Sequence, residues 1–217
     1  MVFPVFFLKL RHGKNLLLDT FSVGLLIVGI SCLLLLITIN SSSNDWHMWR
    51  YDANRSASSP EELPDELYLQ WVREYPKSIQ AWENPLNQDL MQFDKVYEPV
   101  VEDNTLFIGS SVNDRVVALN TETGKEKWRF YVDGPVRFPL VASDNKVYFV
   151  SDDGYLYCLD SKRGSLIWKF RGGPSERKIL GNSRLISTWP ARGGPVLKDD
   201  IIYFAAGIWP FMGIFIY

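Results

Sequence analysis

Residues 99–131 read PVVEDNTLFIGSSVNDRVVALNTETGKEKWRFY, and residues 139–171 read PLVASDNKVYFVSDDGYLYCLDSKRGSLIWKFR. Pro99 and Pro139, Gly124 and Gly164, and Trp128 and Trp168 each lie 40 positions apart. A third copy opens at Pro195 (PVLKDDIIYFAAG) and stops at Tyr217. Each copy starts with a Pro-headed apolar triplet (99–101, 139–141, 195–197) and turns through Asp and Asn. A second strand follows at 105–110, 146–151 and 201–206, and a third at 115–120, 155–160 and, in the last copy, 213–217. A turn ending in Gly leads to a fourth strand that carries Trp128 or Trp168. A period near 40 with four short antiparallel strands per repeat predicts an all-β propeller.

Upstream of the repeats, ELYLQWVR (66–73) sets Leu67, Leu69 and Trp71 against Tyr68 and Gln70. That period of two predicts a strand over 67–72. Residues 74–94, with Pro76 and Pro85 and no period, read as a loop. Pro139 and Pro195 are 56 apart rather than 40, so about 16 extra residues fall within GGPSERKILGNSRLISTWPARGG (172–194). Gly and Pro at both ends mark this insertion as a loop, and loops of such length are often functional.

The first 40 residues have a different character. Lys9, Arg11 and Lys14 precede an apolar run, and residues 21–39 carry no charge. Nineteen such residues match the hydrocarbon thickness of a bilayer, and the preceding cations keep the N-terminus in the cytoplasm. The expectation is a single-pass anchor in the inner membrane, or a signal segment, with the rest of the chain on the periplasmic side. The division is then 1–40 as cytoplasmic N-terminus and anchor, 41–98 as linker, arm and ring-closing strand, and 99–217 as blades.

Composition excludes several function classes. The formal net charge of −2 leaves no basic surplus to neutralise phosphates, so no nucleic-acid partner is expected. Cys32 and Cys158 are the two cysteines, one in the apolar run and one in a strand, so neither a disulfide framework nor a zinc spacing exists. His47 is the one histidine beyond the apolar run, which leaves no Ser-His-Asp or Cys-His arrangement to build. No Gly-rich phosphate loop is present.

The segments ALNTETGKEKW (118–128) and CLDSKRGSLIW (158–168) resemble the A-x-D-x-x-T-G-x-x-x-W docking motif of PQQ-like (quinoprotein-type) β-propeller repeats. Asn120 stands in place of Asp, Cys158 in place of Ala and Arg163 in place of Thr. The opening DWHMWRYDANRS (45–56) is similar to the segment that begins many members of this family. The resemblance covers residues 45–217. It implies that Gly124 and Gly164 hold left-handed turns. It also implies that Trp71, Trp128 and Trp168 pack between blades, with the 67–72 strand completing the last blade of a ring. Rings of this family have seven or eight blades, so about two and a half blades imply an N-terminal part of a larger protein.

Alcohol-oxidising members of the superfamily carry an adjacent Cys-Cys pair beside the quinone and a calcium held by acidic and amide side chains. No Cys-Cys occurs here. The expectation is therefore no cofactor, with PQQ and calcium as the alternative, and a binding or scaffold role like that of outer-membrane assembly propellers. Sensor blades of a longer chain are a further alternative. In a propeller, the insertion shares a face with Asn113-Asp114, Asp152-Asp153-Gly154 and Trp209-Pro210-Phe211. The candidate partner or ligand face is Arg177, Lys178, Arg184, Trp189 and Arg192 with Asp152 and Asp153. Arg beside Trp suits a protein partner or an anionic, planar ligand. The alternative is that the arginines pair with Glu176, Asp152 and Asp153 and merely fix the loop.

Overall fold

The computed structural model describes the backbone of residues 3–8, and residues 45–63, 65–76, 97–181 and 184–217 in full. The membrane-spanning reading of 21–39 and most of the loop reading of 74–94 lie outside the described residues. Among the described residues no helix is long and apolar enough to cross a membrane.

The two repeats are four-stranded antiparallel blades. The first runs in order through β3 (Val100–Glu102), β4 (Thr105–Ser110), β5 (Arg115–Asn120) and β6 (Glu126–Tyr131). The second does so through β7 (Val141–Ser143), β8 (Lys146–Val150), β9 (Tyr155–Asp160) and β10 (Leu166–Arg171). The middle strands are buried on both faces, which is why they read VVAL and YLYCL rather than alternating. The outer strand β6 alternates between half-buried and exposed, since only one of its faces meets the next blade.

The core lies in layers between blades. Phe107, Val116 and Ala118 of the first meet Ala142, Val147, Phe149, Tyr157 and Leu159 of the second. On the far side of the first blade, Leu106, Ile108, Val117 and Leu119 pack against Trp71 and Tyr75. Val150 and Leu156 pack against Phe204 and Ala206 of the third repeat.

Four elements differ from the sequence reading. The strand placed at 67–72 is β2, Leu69–Tyr75; Tyr75, buried against the first blade, extends it beyond Val72. It pairs along six positions with β1, Phe3–Leu8, which the sequence reading had assigned to a cytoplasmic terminus. The insertion contains a hairpin, β11 (Lys178–Gly181) with β12 (Arg184–Ser187), rather than a plain loop. Its two apolar dipeptides flank a Gly-Asn-Ser turn signal.

The third repeat's second strand divides. β13 (Val196–Lys198) pairs with β14 (Ile201–Tyr203), and β15 (Ala205–Ala206) pairs with β16 (Phe215–Ile216). The ladder nevertheless continues between them, because Phe204 and Tyr217 exchange both backbone hydrogen bonds.

The arm at 45–55 ties the inner edges of the repeats together. Trp46 bridges Val101, and the His47 carbonyl accepts from Ala142 N–H while its Nδ1 lies 2.8 Å from the Ala142 carbonyl. Further along the arm, Arg55 donates to the Gly194 carbonyl.

Candidate functional site

The docking turns set the frame. Asn120 Oδ1 accepts the Glu122 and Thr123 amides at 3.0 and 2.8 Å, and Asp160 Oδ1 accepts the Lys162 and Arg163 amides at 3.0 and 2.8 Å. Asn in place of Asp thus preserves the turn, because only an acceptor oxygen is needed. Gly124 and Gly164 have φ of 65° and 68°. A Cβ at either would strike an indole, that of Trp71 at Gly124 and that of Trp128 at Gly164. The Trp71 indole N–H donates to the Thr121 carbonyl and that of Trp128 to the Ser161 carbonyl, both at 2.8 Å. One tryptophan per blade therefore seats on the turn of the next. Trp168 is 39% exposed, and with Phe170, Phe204 and Tyr217 it borders an apolar cleft of about 430 Å³.

On this scaffold the insertion reaches the β4–β5 and β8–β9 turns. Arg184 donates to the Ser111 carbonyl at 2.7 Å and pairs with Asp114. Arg192 engages both oxygens of Asp152, at 2.9 and 2.8 Å. Arg137, from the segment between the blades, donates to the same carboxylate at 2.6 Å. Asp152 is 1% exposed, and both arginine side chains are buried beside it. The base of β12 continues the tether, with Ser187 N–H donating to the Asp152 carbonyl. Gly154 lets it approach: a Cβ there would meet Ser187 Oγ at 2.7 Å. Trp189 is buried, its indole donating to the Met212 carbonyl at 2.8 Å, next to the 3-10 turn Pro210–Met212.

Asp153 faces the other way. Its carboxylate accepts from Tyr157 O–H at 2.6 Å and Tyr155 N–H at 3.1 Å, and burial pushes its pKa above the usual carboxylate range. Burial likewise raises Asp114, against the opposing pull of Arg184. The Cys158 thiol is buried and pushed up to about 11, so it is not a thiolate at neutral pH.

The structure therefore gathers Arg184, Trp189, Arg192 and Asp152 into one tether. It leaves Arg177 and Lys178 exposed on the outer strand, without an ion pair to any described residue. Arg171, not Arg177, faces Glu176. Sequence reasoning missed Arg137, which lies outside the repeat pattern. It also missed Leu180 and Leu185, opposed across the hairpin and 75% and 62% exposed. Their place on either side of the Gly-Asn-Ser tripeptide in the sequence was the available signal.

The PQQ_2 family model, described as outer membrane protein assembly factor BamB, matches residues 70–206. The chain belongs to this family. It is 34% identical over 73 residues to a tetrathionate hydrolase of Acidithiobacillus ferrooxidans, covering 33% of this chain and 14% of that protein. Its fold is similar to the quinohemoprotein alcohol dehydrogenase of Comamonas testosteroni, with a TM-score of 0.53 at 18% identity over 78% of this chain. Enzyme ADHIIG of Pseudomonas putida HK5 has a TM-score of 0.50 at 17% identity over 80% of the chain. The chain spans 24% of each dehydrogenase. The shared PQQ-like propeller is what these likenesses show.

Proposed function

We propose that this chain is a non-enzymatic binding or scaffold module of the cell envelope, part of a larger protein, that docks a protein partner through the β11–β12 hairpin. The observation that carries this reading is where the charges go. Arg184 and Arg192 are committed to Asp114 and Asp152 and hold the insertion against two blade turns, and Arg137 joins them on Asp152 from between the blades. What the hairpin presents outward is apolar, Leu180 and Leu185, flanked by cations. A rigid element with an apolar centre and a charged border has the composition of a protein interface. The family description, an outer membrane assembly factor, agrees with such a role.

Quinone-dependent oxidation is the second reading, favoured by the fold shared with alcohol dehydrogenases. The described residues do not fit that cofactor. A planar, polycarboxylate quinone with calcium needs free acidic and amide ligands. Here Asp152 is occupied by two arginines and Asp153 by Tyr157 and a backbone amide.

In the envelope role the propeller lies on the periplasmic side, either behind an inner-membrane anchor at 21–39 or with β1 paired to β2. A single crossing by 21–39 would put β1 and β2 on opposite sides of the membrane, so the crossing and the β1–β2 pair exclude each other. Titrating the chain with PQQ and Ca²⁺, followed by tryptophan quenching, tests the enzymatic alternative. The scaffold reading expects no saturable, calcium-dependent quenching; a saturable response would overturn it.

A further inference from the structure

The hairpin's own hydrogen bonding says what kind of partner it fits. Thr188 N–H donates to the Arg177 carbonyl, so Arg177 and Thr188 form a hydrogen-bonded pair. Pairs alternate along an antiparallel ladder. Lys178↔Ser187 and Leu180↔Leu185 are therefore the non-bonded pairs, with their backbone groups directed outward. On the β12 side this parity is verified, because Ser187 N–H reaches the Asp152 carbonyl. On the β11 side the same parity sends the N–H and C=O of Lys178 and Leu180 away from the protein. No hydrogen bond to a described residue takes them up, and both residues are exposed.

The side chains sort by face in the same register. Ile179, Ile186 and Arg184 turn toward the blades, Ile186 buried and Arg184 on Asp114. Lys178, Leu180 and Leu185 turn to solvent. Arg177 and Lys178 are the cations of the insertion that its tether leaves unneutralised by described residues.

We propose that the free edge of β11 is a strand-addition site for an extended, acidic and apolar segment of a partner protein. The inference deepens the docking reading above and rests on it. An added strand would pair its backbone with Lys178 and Leu180, set its apolar side chains on the face of Leu180, and turn its carboxylates to the opposite face, toward Arg177, with the Lys178 ammonium at the strand's border. The charges choose among occupants. A lysine on an edge strand deters pairing with a like edge, so a second copy of this hairpin would oppose cation to cation. An acidic strand meets the reverse condition.

The test uses the full chain and a fluorescein-labelled peptide of alternating Val and Glu, nine residues long, with anisotropy read at low salt. Controls are the Val/Lys peptide and a Val/Glu peptide N-methylated at alternate amides. The proposal expects saturable binding of the Val/Glu peptide alone, weakened about tenfold by the double variant R177E/K178E, since each exposed charge pair contributes modestly. Leu180→Ser should also weaken binding, with circular dichroism and melting unchanged. If the N-methylated peptide binds equally well but Leu180→Ser still abolishes binding, strand addition is wrong while the docking face stands. If no peptide binds, or if binding ignores all these variants, the strand-addition site is overturned. The docking reading falls separately if a benzoylphenylalanine placed at Leu185 in the full-length protein forms no photocrosslink to any envelope protein in cells.

Discussion

At the residue scale, the repeated tryptophans make an internal control. Trp128 is enclosed by the Gly164 turn and tilts against Phe107 at 5.8 Å, whereas Trp168 borders the open cleft. Trp128→Ala should cost about 3 kcal/mol, the lower end for a truncated aromatic because the ring is only partly buried. Trp168→Ala in the same chain should cost about 1 kcal/mol or less. Urea denaturation of the two variants checks the contrast; equal losses would contradict the docking geometry. These positions were legible in the sequence because Trp and Gly recur at fixed spacing. Arg137 was not legible, since it sits between repeats and its partner Asp152 is defined only once the blades are stacked. Nor was the backbone pairing of His47 with Ala142, which depends on how the arm crosses the inner strands.

At the element scale, the blades could be read because each middle strand is a continuous apolar run bounded by Asx and Gly turns. The hairpin was obscured by its Gly and Pro flanks, which signal a loop, while its strands are only four residues long. Such short strands carry little periodicity, and the tether that holds them comes from outside the segment. The β1–β2 pair was illegible for a different reason: hydropathy assigns residues 3–8 to one side of a membrane and 69–75 to the other. A cysteine at Val5 and one at Val72 make the alternatives measurable in intact cells. With β1 on β2, both cysteines react alike with a membrane-impermeant maleimide. With residues 21–39 crossing once, only the one at position 72 reacts.

At the scale of the whole molecule, buried carboxylates set the pH dependence. Burial raises Asp45, Glu98, Glu102, Asp114 and Asp153 above the ordinary carboxylate range. A folded-state pKa raised above the unfolded one contributes stability that is present at low pH and lost as pH rises through the folded value. Asp52 and Glu176 are shifted the other way, so their contribution fades only at lower pH. The melting temperature is therefore expected to fall as pH rises from the ordinary carboxylate range through the raised values, as between pH 4 and pH 8. Glu102→Gln should flatten the profile, as read by calorimetry. A melting temperature that climbs steadily from pH 5 to pH 8 would contradict these directions.

The account as a whole turns on one claim: the buried charges serve to brace the hairpin. Removing one partner of a buried ion pair typically costs about 3 kcal/mol or more, so Asp152→Asn should release β11–β12 while the first blade stays folded. Hydrogen exchange resolved by NMR at the Ile179 and Ile186 amides, with Phe107 and Val117 as references, measures this directly. The account predicts protection at all four in the wild type and loss at Ile179 and Ile186 alone in Asp152→Asn. Unprotected Ile179 and Ile186 in the wild type, or protection unchanged by the variant, would contradict it.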